Sequence, residues 1–154
     1  MSTPAPPTGL PELPVTFRPT RTRIVLLSVG IALLVVLTAI SLLLEAFTAG
    51  DRATFIGTGL LILGVLALLS RPRVVADRDG VTVVNLTTRR RLEWAEIVRV
   101  NLRRGDAWVH LDLADGTSLP AMGIQPGMAR DQAVADARAL RALVETHGTG
   151  RSAT

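Results

Sequence analysis

Two long apolar runs, Ile24 to Leu44 and Ala53 to Ser70, dominate the polarity pattern of this chain. The first reads IVLLSVGIALLVVLTAISLLL and the second ATFIGTGLLILGVLALLS, and neither holds a charged residue. At about 1.5 Å per helical residue they reach roughly 32 and 27 Å, against a bilayer hydrocarbon core of about 30 Å. Between them lies the short polar stretch Glu45 to Arg52, enough for a tight turn between helices. The pattern predicts a transmembrane hairpin at 24–70, with spans at 24–44 and 53–70.

Residues 1–23 contain six of the nine prolines among Ser, Thr and Gly, with little apolar surface, which predicts a disordered or extended tail. A secretory signal peptide is the other reading of an apolar run so close to the start. An uncharged run of 21 residues with a second run behind it exceeds the usual signal core of about 7–15. Arginine placement then sets orientation, because basic residues collect on the cytoplasmic side of short loops. Arg18, Arg21 and Arg23 precede the first run and Arg71 and Arg73 follow the second, whereas the loop holds Arg52 alone beside Glu45 and Asp51. The chain is expected to be a multi-pass protein of the cell inner membrane with both termini cytoplasmic.

Inside the spans, Ser28-x-x-x-Ala32 and Ala53-x-x-x-Gly57 are small-residue pairs that let helices approach closely. They serve packing of the hairpin on itself or, in the other reading, a homo-oligomer interface. No ionisable group lies at membrane depth, where ion pathways and proton relays are marked by such groups. A transporter or channel built from this chain alone is therefore not expected.

After Arg71 the period shortens. Val74-Val75-Ala76, Val81 to Leu86, and Arg91 to Trp94 read as strands separated by the turns at 77–80 and 87–90. Val98, Val100 and Leu102 form an inward face against Arg99, Asn101 and Arg103. Ala107 to Ala114 alternates most clearly, with Val109, Leu111 and Leu113 inward and Trp108, His110 and Asp112 outward. Asp115-Gly116 is a hairpin signal leading into Thr117-Ser118-Leu119, and Pro120 with the Gly123–Gly127 region closes the strands. Over 128–147 the spacing turns helical, with Ala133, Ala137, Leu140, Leu143 and Val144 on one stripe and Gly148 as a stop. The soluble part is thus expected at 71–147, an antiparallel sheet structure closed by one amphipathic helix, followed by a disordered tail at 148–154.

Charge adds little to the fold and something to the function. All seventeen basic residues are arginine, and the net charge of +4 divides as +2 before the first run, −1 in the loop and +3 after Ser70. A weak excess spread this way favours contact with an anionic membrane over nucleic acid, whose binders concentrate charge on one face. With no cysteine, disulfides and thiolate metal sites are excluded. Arg89-Arg90-Arg91 with Arg99, Arg103 and Arg104 is the main concentration of charge. It is either a solvated turn region or a contact for anionic lipid or an acidic membrane-protein partner. Trp108 is a candidate for the same contact, because an outward Trp suits a membrane interface, and the alternative is packing inside the fold. Trp94, partnered by Leu92, reads as core. His110 and Asp112 share a face without a third ligand or nucleophile, so no catalytic residue, metal site or cofactor is expected. Nothing resembles a phosphate loop or a nucleophile elbow.

The combination of Phe17-Arg18-Pro19 before the apolar pair, Arg71-Pro72-Arg73 leaving it, the Asp79-Gly80 turn and Leu92-Glu93-Trp94-x-x-Ile97 resembles the small membrane-anchored bacterial PH-like proteins. Among them it is similar to the family of low-molecular-weight protein antigen 6, over about residues 15–147. The resemblance implies an α+β membrane protein whose two-helix hairpin carries a PH-like antiparallel β-barrel or sandwich capped by a C-terminal helix. A compact β domain without assignable catalytic groups is expected to act as a binding or scaffolding module rather than an enzyme. The alternative is an accessory or regulatory subunit of a larger membrane complex, suggested by the small-residue helix faces. The resemblance carries over no catalytic residue.

Overall fold

The computed structural model describes residues 9–148. The expectations for residues 1–8 and 149–154 fall outside that range. The chain divides into two compact units: Thr20–Arg71, and a unit assembled from the residues up to Pro19 and those from Pro72 on.

The first unit is an antiparallel pair of helices, α1 (Thr20–Leu43) and α2 (Ala49–Leu69), both long and apolar enough to cross a membrane. Pro19, which cannot extend a helix backwards but fits at its start, stands just before α1, so the helix begins earlier than the apolar run and takes in Arg21 and Arg23. The loop is shorter than expected because Asp51 and Arg52 belong to α2. Thr48 caps that helix: its Oγ1 accepts the Asp51 N–H at 3.2 Å, and its own N–H donates to Asp51 Oδ2 at 2.9 Å. This reciprocal capping satisfies amide groups that have no partner inside the helix. Two glycines set the helix contact. A methyl group at Gly30 would lie 2.8 Å from Leu63 Cδ1, and one at Gly59 would lie 2.9 Å from Leu34 Cδ1 and 3.2 Å from its Cα. Gly57 and Gly64, by contrast, have open space beside them.

The second unit is a β-sandwich with a covering helix. One sheet has the order β1 (Val15–Phe17), β2 (Arg73–Ala76), β3 (Gly80–Val84), β4 (Arg89–Glu93). The other has the order β5 (Ile97–Asn101), β6 (Val109–Leu113), β7 (Ser118–Ala121), and α3 (Arg130–Gly148) follows. Neighbouring strands are antiparallel throughout. The two sheets remain separate, so the structure is a sandwich and not a closed barrel. A 3₁₀ turn at Trp94–Glu96 carries the chain from one sheet to the other.

β1 corrects the expectation of a disordered or extended tail over 1–23 with too little apolar surface to pack. Thr16 pairs with Val75 and Phe17 with Val74, and the Phe17 ring is buried in the core. Leu10, Leu13 and Val15 pack against that core from the same segment. Three strand residues flanked by Pro14 and Pro19 are too few to show a period; only the waiting edge of β2 makes them a strand.

The core joins both sheets to α3. Val81, Leu92, Leu111, Ile124, Leu140 and Leu143 are its most enclosed large side chains, and the expected helical stripe is buried at all five positions. Trp94 sits at the corner, 4% exposed. Its indole N–H lies 3.2 Å from the Asp77 carbonyl and 3.3 Å from that of Arg78, and its ring stacks on His147 at 4.9 Å.

Two details depart from simple alternation. A bulge falls between Ile97 and Arg99, where β5 spends an extra residue against β6. A bulge reverses facing beyond it, so Ile97 and Val100 are buried while Val98, expected inside, is 66% exposed. Pro120, expected to close the strands, instead lies within β7. An edge strand tolerates proline where no ladder N–H is required, and the Pro120 carbonyl accepts Asn85 Nδ2 at 2.8 Å.

Candidate functional site

The arginines expected to act together are divided by the fold between two sheets. Arg89, Arg90 and Arg91 lie on β4, the edge of the four-stranded sheet. Arg99 lies on β5, and Arg103 and Arg104 lie in the turn that follows it. Their surroundings differ as much as their positions.

Arg91 is committed to structure. Its cross-strand partner is Thr82, and its guanidinium spans the Asp77 carboxylate, with Nη1 to Oδ2 at 2.8 Å and Nη2 to Oδ1 at 2.9 Å. Nη1 also reaches Thr82 Oγ1 at 3.2 Å. Asp77 is held in place by its own turn, accepting the N–H groups of Asp79 and Gly80 at 2.9 and 3.0 Å. The hydrogen bond from Arg91, with these amides, holds the Asp77 carboxyl below its ordinary pKa, and Asp77 raises that of Arg91 in return. A two-pronged pair of this geometry is stronger than an ordinary surface ion pair.

Arg90 is loosely paired, 3.9 Å from Asp115 in the β6–β7 turn. Asp115 is chiefly engaged by Thr117, whose hydroxyl and amide donate at 2.6 and 2.9 Å and lower its pKa. Arg89, Arg99, Arg103 and Arg104 are exposed and form no ion pair among the described residues. In their turn, Asp106 accepts the backbone N–H of Arg103 at 2.9 Å, and Gly105 supplies the left-handed conformation at φ +93°. Trp108, expected at the start of a strand, stands half-buried in the bend before β6.

His110 and Asp112 do not pair with each other, although they share a face. His110 lies 3.9 Å from Asp106, and Asp112 accepts the side-chain amide of Asn101. No group of three His, Asp or Glu side chains among the described residues is arranged to hold a metal.

A feature that no motif announced lies between β5 and α3. Val98, Arg99, Val100, Asn101, Arg141, Val144 and Glu145 line an open groove of about 400 Å³. Arg141 crosses it, with Nη2 donating to the Val100 carbonyl at 2.8 Å. In sequence Arg141 is only a polar position off the apolar helical stripe. The bulge at Ile97–Arg99 and the packing of α3 make it part of a groove, and neither is encoded in a local pattern.

Residues 71–143 match the family described as bacterial PH domain. Uncharacterised proteins of Mycobacterium bovis and of two strains of Mycobacterium tuberculosis are 34% identical to the chain over 98 residues, covering 64% of it. The chain spans 63% of the length of these curated relatives. None of these matches bears the antigen 6 description expected from the sequence. No solved structure matches significantly. The family match begins at residue 71, so β1 stands outside it.

Proposed function

We propose, from the bacterial PH-like domain at residues 71–143, that this protein is a membrane-anchored binding module presented at the cytoplasmic face of the inner membrane. The observation that carries the reading is the insertion of two membrane-length helices directly into the domain's own sheet, through the short connectors 18–19 and 70–72. Such a connection keeps the domain at the membrane whatever it binds. The arginine asymmetry, with five residues at the outer ends of the helix pair and Arg52 alone near the loop, at the start of α2, supports cytoplasmic termini.

The contact residues are those whose charge the fold does not use. Arg89, Arg99, Arg103 and Arg104 remain available, with Arg90 held only loosely, while Arg91 serves the Asp77 turn. Trp108 stands four residues after Arg104, in the bend before β6. An anionic surface attracts each basic group by about 1 kcal/mol near a membrane, so Arg99, Arg103 and Arg104 add up beside one sheet, with Arg89 contributing from the edge of the other. Membership of a larger membrane complex is the second reading, supported by the open sides of Gly57 and Gly64 on α2.

The test is photocrosslinking of the full chain in its membrane, with a photoreactive residue at Trp108. Capture of an anionic lipid or an acidic protein, abolished when Arg89, Arg99, Arg103 and Arg104 are all replaced by Ser, is the expected result. Capture unchanged by those four substitutions would overturn the assignment. A reporter active only in the cytoplasm, fused after Thr154, is expected to work; activity of a periplasmic reporter there would reverse the topology.

A further inference from the structure

We propose that the groove between β5 and α3 receives an extended acidic segment of a partner protein, which adds to the free edge of β5 as a further strand. The inference rests on the binding-module reading and gives it a partner chemistry and a docking mode.

The backbone supplies the first argument. β5 is an edge strand, paired only with β6. On β6, the Val109 and Leu113 amides bond to Ile124 and Thr117 on the β7 side, so the residues between them, His110 and Asp112, face β5 and meet Asn101 and Arg99. Because antiparallel pairing alternates, the amide and carbonyl of Val100 point away from β6 into the groove. Its carbonyl is already met by a donor, the Arg141 guanidinium at 2.8 Å. Arg141 thus stands where an incoming strand would offer an N–H, and its long, exposed side chain can swing aside.

Charge selects the occupant. Arg99 and Arg141 line the groove with Glu145 as its one carboxylate. Arg103 and Arg104 follow in the next turn, and Arg138 is exposed one helical turn before Arg141. An acidic segment neutralises this set, and an Arg141 released from Val100 becomes its ion-pair partner. A second copy of the chain pairing edge to edge would instead bring Arg99 and Arg141 towards their own equivalents. Bulges and charges at an edge are ordinary protection against indiscriminate pairing; here Arg99 and Arg141 outnumber Glu145, so the protection discriminates. Val98, 66% exposed at the mouth of the groove, offers apolar contact to alternate residues of the strand.

The probe is a synthetic peptide of about ten residues alternating Glu and Val, the length of an ordinary strand. The target is the full chain in phosphatidylcholine nanodiscs, read by residue-resolved amide hydrogen exchange. Exchange at Val100 is expected to slow about tenfold or more on binding, with Arg99 and Asn101, whose amides face β6, little changed. The peptide with Lys in place of Glu should give no such protection. Val98→Glu, a change at an exposed position that leaves the core intact, should abolish the effect, and so should Arg99→Ser with Arg141→Ser. Unchanged exchange at Val100, equal protection by the Lys peptide, or protection arising from self-association would each overturn the inference. If the acidic peptide fails while crosslinking at Trp108 still depends on the four free arginines, strand addition falls and the binding-module reading stands. If both fail, both fall.

Discussion

Asn85 and Asp77 show how single polar side chains hold the two sheets and their turns in place. Asn85 is 7% exposed, donating to the Pro120 carbonyl at 2.8 Å and accepting the Met122 N–H at 3.1 Å, and so ties the end of β3 to β7. Replacing it with Leu takes this partner from the part-buried Pro120 carbonyl and Met122 amide, each at the lower part of the about 1–3 kcal/mol that such a loss costs. Asn85→Leu is therefore expected to destabilise the domain by roughly 2–4 kcal/mol, read by thermal or chemical unfolding. Asp77 gives a pH dependence. Its folded-state pKa lies below the ordinary 3.8, first because of the Arg91 hydrogen bond. A depressed carboxyl pKa stabilises the fold above the unfolded-state value, and this contribution disappears as pH falls through the folded value. Asn retains the acceptor oxygen for the Asp79 and Gly80 amides but not the charge opposite Arg91. The melting-temperature difference between Asp77→Asn and the parent should be full at neutral pH and shrink towards zero below about pH 3.8. A difference that persists unchanged into acid would assign the effect to the turn geometry.

At the scale of elements, length and period decide most, and contacts correct the rest. The helix pair reads directly from two apolar runs, but which glycines join the helices does not. Gly30 and Gly59 are filled by Leu63 and Leu34, while Gly57 and Gly64 face open space. Gly30→Leu or Gly59→Leu should force the helices apart, an overpacking effect of about 1–3 kcal/mol, and lower the melting temperature in detergent. Gly57→Leu and Gly64→Leu should leave it nearly unchanged. In the domain, β6 and α3 present the faces their periods predict. β5 does not, because one extra residue at Val98 reverses the alternation, and a bulge has no signature in a stretch rich in Val and Arg.

Over the whole molecule, the sequence order conceals the domain's continuity. β1 and β2 pair as a hairpin, Phe17 against Val74, although the entire helix pair lies between them in the chain. Residues 72–154 alone lack β1, which leaves β2 as a bare edge and vacates the buried place of Phe17. Joining Arg18 to Arg73 by Asn-Gly, which suits a tight two-residue turn, should restore the sheet without the helices. The expected result is a cooperative thermal transition for this shortened chain and a distinctly lower, broader one for 72–154. Equal melting of the two would mean that β1 contributes nothing to the domain. The candidate site was half legible for a related reason. Its arginines stand out as a cluster in sequence, yet Arg91 is spent on Asp77, and the remainder divide between two sheets.

The sequence by itself determined the apolar helix pair, most of the β domain and its amphipathic cover, because each rests on a local period of polarity. It also fixed the amount of positive charge. Only the tertiary structure decided that a proline-flanked segment before the first helix completes the sheet, that Val98 turns outward, and that Arg141 crosses a groove against β5. Those outcomes depend on hydrogen bonds and packing between residues far apart in the chain, and no window of sequence contains both partners.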